Sequence, residues 1–501
     1  MLAAVRSAAV LGIEAYDVTV EVDAATGLPQ FTIVGLPAGA VKESRERVGA
    51  ALINSGFTVP PRRITVNLAP ADVRKDGTAF DLPIALGILV ATKQLDARAL
   101  ERVAAVGELG LDGALRSVRG ALPIARRVAL GTERTLVLPP ANVAEAALVS
   151  AARLSAPASL AALVNALRDG GPPEALAAPA VSAPDDTPDF AEVAAQESAK
   201  RALEIAAAGG HNVVLIGPPG AGKTMLARRL PGILPALSEH EALEVTAIHS
   251  VAGLVRPGEA LAVTRPFRAP HHTISDAGLI GGGSPPRPGE VSLAHHGVLF
   301  LDELLEFRRH VVESLRQPLE DGRVTIARAT MAVTFPARFT LVGAMNPCPC
   351  GGAGDPARAC TCAAADVARY RARLSGPMTD RVDMHVHVGA VPPRALGASS
   401  GGETSAAIRV RVERARAAQR ERYAAVPGAS ANAHAPPRWL DRRGGVEPAA
   451  REMLARAAEE LGFTARSYHR VLRVARTIAD LDGRASVTPD HVAEAVRYRR
   501  V

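Results

Sequence analysis

One eight-residue stretch constrains this chain more than any other: Gly217-Pro218-Pro219-Gly220-Ala221-Gly222-Lys223-Thr224. It lies between an apolar β-branched run, Asn212 to Ile216, and a helical one, Met225 to Leu230. A strand that turns through glycines into a helix wraps consecutive backbone N–H groups around a small concave space, and the helix N-terminus adds partial positive charge. Every fixed position of the phosphate-loop pattern is filled in the strand–loop–helix context it requires. Lys223 is expected to reach the β- and γ-phosphates of ATP, and the Thr224 hydroxyl to ligate Mg²⁺. Only five of the 58 basic residues are lysines, so a compact ammonium at this position points to chemistry rather than solubility.

Two further strands belong with this loop. Gly297-Val-Leu-Phe-Leu-Asp302-Glu303 is an apolar run ending in adjacent carboxylates, where a doubly wound sheet places its chemistry. Asp302 is expected to hold Mg²⁺, and Glu303 to orient and deprotonate an attacking water. Phe339-Thr-Leu-Val-Gly-Ala-Met-Asn346 ends in an amide suited to the same water or the γ-phosphate. Strands at Asn212–Ile216, Val298–Leu301 and Thr340–Ala344, alternating with helices, predict an α/β parallel sheet covered by helices.

Composition breaks divide the 501 residues. A Pro- and Asp-rich linker is expected at 169–188, with a second, softer break at Pro392 to Glu403. Residues 1–168 read as an α/β domain: alternation over 8–22 and 31–35 suggests a strand pair turning at Thr26-Gly27, followed by a helix at Val41–Ser55, a strand at Arg63–Leu68 and a buried helix at Phe80–Leu95. Residues 189–396 would form the nucleotide core and 397–501 a helical lid. The lid's predicted helices are Ser405–Tyr423, Pro448–Leu461, Ala465–Ala479 and Pro489–Arg499, the last opened by Thr488-Pro489.

The net charge of +7 is unevenly placed: residues 401–501 carry 19 Arg against 12 acidic residues, while the first 400 balance 39 against 39. A basic lid fits a phosphate-backbone partner or, equally, an arginine-rich solvated surface. The longest apolar run, Ile84 to Ala91, is far too short for a membrane span. Four clustered cysteines are too few for a disulfide-stapled secreted chain, so a cytoplasmic location is expected.

The order of the three strands resembles an AAA+ ATPase core, and the words between them narrow the match. Phe267-Arg-Ala-Pro-His-His-Thr273, the Gly281–Ala294 stretch, Leu374-Ser-Gly-Pro-Met-Thr-Asp-Arg381-Val-Asp383 and Arg473-Val-Ala-Arg-Thr-Ile-Ala-Asp-Leu481 resemble the magnesium-chelatase-like YifB/ComM family. That resemblance covers the whole chain. It implies a Lon-protease-like or ribosomal-S5-like N-terminal domain, an AAA+ module and a helical lid. It also implies a hexameric ring that uses ATP to move on DNA and migrate branches during integration of transforming DNA. By the same resemblance Asn346 matches the first sensor and Arg381 the arginine finger that reaches a neighbouring subunit. Arg466 is the choice for the lid sensor, with Arg470 its competitor. The segment 265–294 is the insertion whose hairpin faces the ring's pore, offering Arg265, Arg268 and Arg287 to DNA.

Lys75-Asp76-Gly77-Thr78-Ala79 resembles the stretch around the Lon nucleophile, but Ala79 fills the serine position and Leu122 falls near that of the catalytic lysine. Neither side chain can attack or activate, so a non-proteolytic scaffold is expected. A protein-remodelling motor of the magnesium-chelatase type is the alternative function.

All four cysteines form two Cys-X-Cys pairs, Cys348/Cys350 and Cys360/Cys362. Four thiolates complete a structural Zn²⁺ tetrahedron; reduced structural thiols and a redox-sensitive or Fe–S role are the other readings. His271-His272 and His295-His296 would each be a poor chelate, because neighbours on extended chain point in opposite directions.

Overall fold

The computed structural model describes residues 2–131, 133–172, 187–256, 258–259, 261–328, 331–354, 359–391 and 401–499. Most of the expected 169–188 linker and residues 392–400 of the second break lie outside the described residues. Among those described, no helix is long and apolar enough to cross a membrane.

The N-terminal sheet has seven strands in the spatial order Gln30–Val34, Arg63–Ala69, Glu14–Ala25, Leu2–Leu11, Val103–Ala105, Thr135–Val137 and Arg153–Ser155. Its hairpin turn is not at Thr26-Gly27. The alternating run over 8–22 is itself two strands, joined at Gly12-Ile13 with Gly12 at φ +68°. A two-residue turn keeps the period of two in phase, so alternation alone does not reveal it. Gln30–Val34 then pairs in parallel with Arg63–Ala69 instead of with its sequence neighbour. The helix Asp81–Ala91 is buried along its whole length beneath this sheet.

The core sheet is five-stranded and parallel, in the order Phe267–Arg268, Val298–Leu301, Thr340–Met345, Val213–Ile216 and Met384–His387. Alternate residues feed different cores, as a period of two requires. Val213, Leu215, Phe300 and Val342 join a cluster that continues through the helices Glu197–Gly209 and Lys223–Ile233 into Val471, Ile478 and Val492 of the lid. Val214, Ile216, Leu299 and Leu341 face the other way, onto a hairpin formed by Arg323–Arg328 and Met331–Pro336. Leu11 and Ile13 of the N-terminal turn pack against this second cluster, and the Gly120 N–H donates to the Ser250 carbonyl at 3.0 Å.

The lid is helical, with Ser405–Tyr423, Pro437–Arg443, Pro448–Leu461, Ala465–Leu481 and Pro489–Arg497. Much of its positive surplus is consumed internally. Arg409 donates to the Gly232 carbonyl at 2.8 Å, Arg416 to Ala207 at 3.1 Å, Arg473 to Ala435 at 2.7 Å and Arg499 to Val382 at 2.6 Å. The bonds to Gly232 and Ala207 satisfy carbonyls near helix ends, those to Gly232, Ala207 and Val382 fasten lid to core, and the bond to Ala435 braces the lid itself. Of the two readings of the basic lid, this part of its charge belongs to neither a DNA face nor a solvated one.

Candidate functional site

The phosphate loop leaves the sheet at Gly217, where only hydrogen fits: a Cβ there would lie 2.2 Å from the Val388 carbonyl oxygen. Gly220 and Gly222 take φ of +77° and +86°, turning the loop into the helix that Lys223 opens. The Lys223 ammonium donates to the carbonyls of Gly217 and Pro218 at 2.7 and 2.9 Å and to the Asn346 side-chain oxygen at 3.2 Å. Burial lowers its pKa, opposed by the charges of Asp302 and Glu303. The Thr224 hydroxyl donates to Asp302 at 2.7 Å. Thus three neighbouring strands bring Lys223, Thr224, Asp302 and Asn346 to one sheet edge. A hydroxyl and a carboxylate in direct contact, beside a loop of inward amides, fit a hydrated Mg²⁺ on a nucleotide phosphate.

Glu303 has a left-handed backbone, φ +52°, and its side chain remains 60% exposed. Facing it at 3.5 Å is the His272 Nδ1. Sequence reasoning gave His272 no such part; the available signal was its place just after the edge strand Phe267–Arg268, beside the carboxylate strand in the sheet.

Arg381, Arg466 and Arg470 are not at this edge. The Asn212 amide, at the start of the phosphate-loop strand, donates to the Arg381 carbonyl at 3.3 Å. Five residue steps along the strand separate Asn212 from Gly217, roughly 16 Å at ~3.3 Å each. Arg381 is 8% exposed, bonded to the Pro377 carbonyl and to Glu320; Arg466 approaches the same Glu320 carboxylate at 3.8 Å. Arg470 instead bonds Asp383, whose carboxyl Arg470 keeps well below the usual range against the opposing effect of burial. Glu320, the shared partner of Arg381 and Arg466, was also missed: a carboxylate in a short helix has no motif to announce it.

In the 265–294 segment the arginines differ. Arg265 is saturated by the carbonyls of Pro235, Ala236 and His296 and by Glu241, and Arg268 forms a two-pronged bond with Glu290 at 2.6 and 2.8 Å. Both are engaged by partners within the chain, Arg265 with 13% and Arg268 with 33% of its side chain exposed. Arg287, 60% exposed, pairs in the backbone with Gly282 and reaches Asp76 only at 3.4 Å. The exposed Arg328 of the neighbouring hairpin also approaches Gly282.

The histidine pairs do not point apart as extended chain would dictate. His296 is left-handed, φ +56°, and the His295 and His296 rings lie 3.9 Å apart. Both turn an Nε2 toward one Glu244 oxygen, at 3.4 and 2.7 Å. His295 Nδ1 accepts the Arg338 N–H at 3.0 Å, so its Nε2 keeps the proton and donates. The two imidazoles clamp this carboxylate and hold Glu244 down to about 2; contrary to the expectation from extended chain, the three side chains bring their donor atoms within 4.8 Å of one another, close enough to share a metal ion.

The cysteines do converge. Sγ separations are 3.4 Å for Cys348–Cys350, 3.7 Å for Cys350–Cys360 and 3.6 Å for Cys348–Cys360, and all four sulfurs lie within 4.8 Å of one another. A Zn–S bond of 2.3 Å gives a tetrahedron edge of about 3.8 Å, so the donors fit that ion. Amides of Gly352 and Ala353 donate to Cys350 and Cys348. The N–H groups of Gly352 and Thr361 bring the Cys350 thiol down to about 5.

Family models for magnesium chelatase subunit ChlI match residues 20–142 and 189–396, and that for its C-terminal domain matches 402–499. The chain is 45% identical to the competence protein ComM of Haemophilus influenzae, over 99% of its own length and 97% of that protein's. It is 43% identical to the YifB protein of Salmonella typhimurium, covering 100% and 97%. With the magnesium-chelatase 38 kDa subunit of Cereibacter sphaeroides it shares 27% identity over 32% of this chain and 52% of that one. A parallel-sheet core carrying a complete phosphate loop, matched by family models over most of its length and by full-length relatives, makes this chain a member of the YifB/ComM family of magnesium-chelatase-like AAA+ ATPases.

Proposed function

We propose that the protein is a cytoplasmic, ring-forming ATPase, hexameric as its family resemblance implies, that couples hydrolysis to movement on DNA and to branch migration. The observation that carries the ATPase reading is the meeting of Lys223, Thr224, Asp302 and Asn346 at one sheet edge. With nucleotide and Mg²⁺ bound, Lys223 would neutralise the β- and γ-phosphates, Thr224 and Asp302 would hold the metal, Glu303 would take the proton of the attacking water and Asn346 would orient it. The metal supplies charge neutralisation on the leaving phosphate.

Arg381 and Arg466 lie too far along the sheet to serve their own chain's nucleotide. They serve the site of a neighbouring copy, so the ring completes the active site. The cysteines hold a structural Zn²⁺. The N-terminal domain is a scaffold rather than a protease: Ala79 lacks a nucleophile, and Leu122, fully buried, has no group that could activate one.

Arg287 and Arg328, converging at Gly282 on exposed hairpins, are the DNA contacts this arrangement favours. The test is ATPase with single-stranded, duplex and four-way-junction DNA over a salt series. At least one form stimulates turnover, and stimulation fades with salt as counterion release demands. Replacing Arg287 and Arg328 with Ala lowers the salt slope by roughly one per arginine, and reduces DNA-stimulated turnover more than DNA-free turnover. Turnover indifferent to every DNA form would favour a protein-remodelling motor.

A further inference from the structure

We propose that the four-thiolate loop is a metal-dependent buttress of the nucleotide site: holding Zn²⁺, it fixes Pro219 and Asn346 in their working positions and thereby raises affinity for ATP. This rests on reading the cysteines as a zinc site and goes beyond it, because a structural zinc has no reason to be coupled to nucleotide.

Two contacts make the coupling. The first runs along the chain: Asn346, whose side chain accepts from Lys223, stands two residues before Cys348. Arg371 anchors the intervening Pro347 through its carbonyl at 3.3 Å. The second runs through space. Gly351, at φ +77°, presses its bare backbone on the phosphate loop, so closely that a Cβ there would lie 2.6 and 2.9 Å from Cδ and Cγ of Pro219. Gly351 lies inside the cysteine cluster, its N–H donating to the Cys348 carbonyl at 3.0 Å.

The loop is therefore held on one side by sulfur and on the other by the two elements that grip phosphate. N–H···S bonds of 3.3 and 3.4 Å and the Gly351–Cys348 backbone bond brace residues 348–353 from within the chain. Four metal–sulfur bonds remove the conformational freedom that would let Pro219 and Asn346 drift. Coupling between two binding sites is reciprocal, so nucleotide must tighten zinc by the factor that zinc tightens nucleotide.

The experiment uses the full chain, purified under reducing conditions, with metal analysis and titration of a fluorescent ATP analogue in Mg²⁺. About one equivalent of zinc is expected, and replacement by Co²⁺ should give the visible absorption of a tetrahedral thiolate site. Zinc removal by a chelator weakens binding of the analogue about 10-fold. ATP makes the zinc harder for the chelator to extract by the same factor, a reading taken on intact wild-type protein whether or not the metal-free form stays folded. Gly351→Ala retains its zinc, binds the analogue more weakly, and loses most of the dependence on metal. Less than half an equivalent of zinc would overturn both the site and the buttress. Full zinc, with nucleotide and metal affinities indifferent to one another, would overturn the buttress and leave the site standing.

Discussion

At the end of the core sheet where Val213–Ile216 runs into the phosphate loop, the charged groups engage partners within their own chain: Lys223 its loop carbonyls and Asn346, Thr224 its Asp302. At the opposite end, Arg381 and Arg466 crowd a single carboxylate, Glu320, that belongs to no nucleotide site in the same chain. The first end is a self-contained phosphate-loop arrangement; the second gathers two arginines around one carboxylate away from that loop. On the reading proposed above, one chain carries two halves of different active sites, and hydrolysis depends on the contact between copies.

The sharpest way to break this comparison is Arg381→Ala. Turnover falls by roughly 10³-fold or more, while affinity for a fluorescent ATP analogue stays close to wild type. Mixing this variant with Lys223→Ala, itself unable to bind nucleotide, restores part of the activity, because some interfaces then pair an intact loop with an intact arginine. Failure of every mixture to regain turnover, with oligomers verified by light scattering, would place Arg381 in its own chain's chemistry. Glu303→Gln comes next: hydrolysis slows by about 10²-fold or more, and ATP-bound oligomers accumulate on size-exclusion chromatography. Normal turnover would remove Glu303 from the role of base. Arg466→Ala has the smallest effect, about 10-fold on turnover, since its more exposed side chain shares Glu320 at longer range. An effect larger than that of Arg381→Ala would reverse the two assignments.

The legibility of these halves in the sequence differed for a physical reason. A phosphate loop needs specific residues at fixed spacing because backbone amides must converge, so Gly217 to Thr224 was readable without a fold. The four cysteines were readable because the chain has no others. Arginine roles were not, because an arginine is ambiguous in an arginine-rich chain until its partner is known. Arg265 and Arg268 looked as available for DNA as Arg287, yet Glu241 and Glu290 in the core, and backbone carbonyls for four lid arginines, account for charges that composition left free. Partners such as Glu320 and His272 are created by tertiary proximity, which no local spacing records. The N-terminal hairpin failed for a smaller reason, a turn too short to disturb the alternation around it.

The apolar cluster shared by the core sheet and the lid has a consequence for how the protein is made. Val213 and Leu215 leave the ribosome long before Val471, Ile478 and Val492, the residues that cover the same cluster from the lid side. At ~5–20 residues per second, that face waits about 15 s to 1 min for its cover. Until then that apolar face stays open to other chains, and a premature stop before Val471 releases a protein whose core sheet is sticky rather than merely inactive.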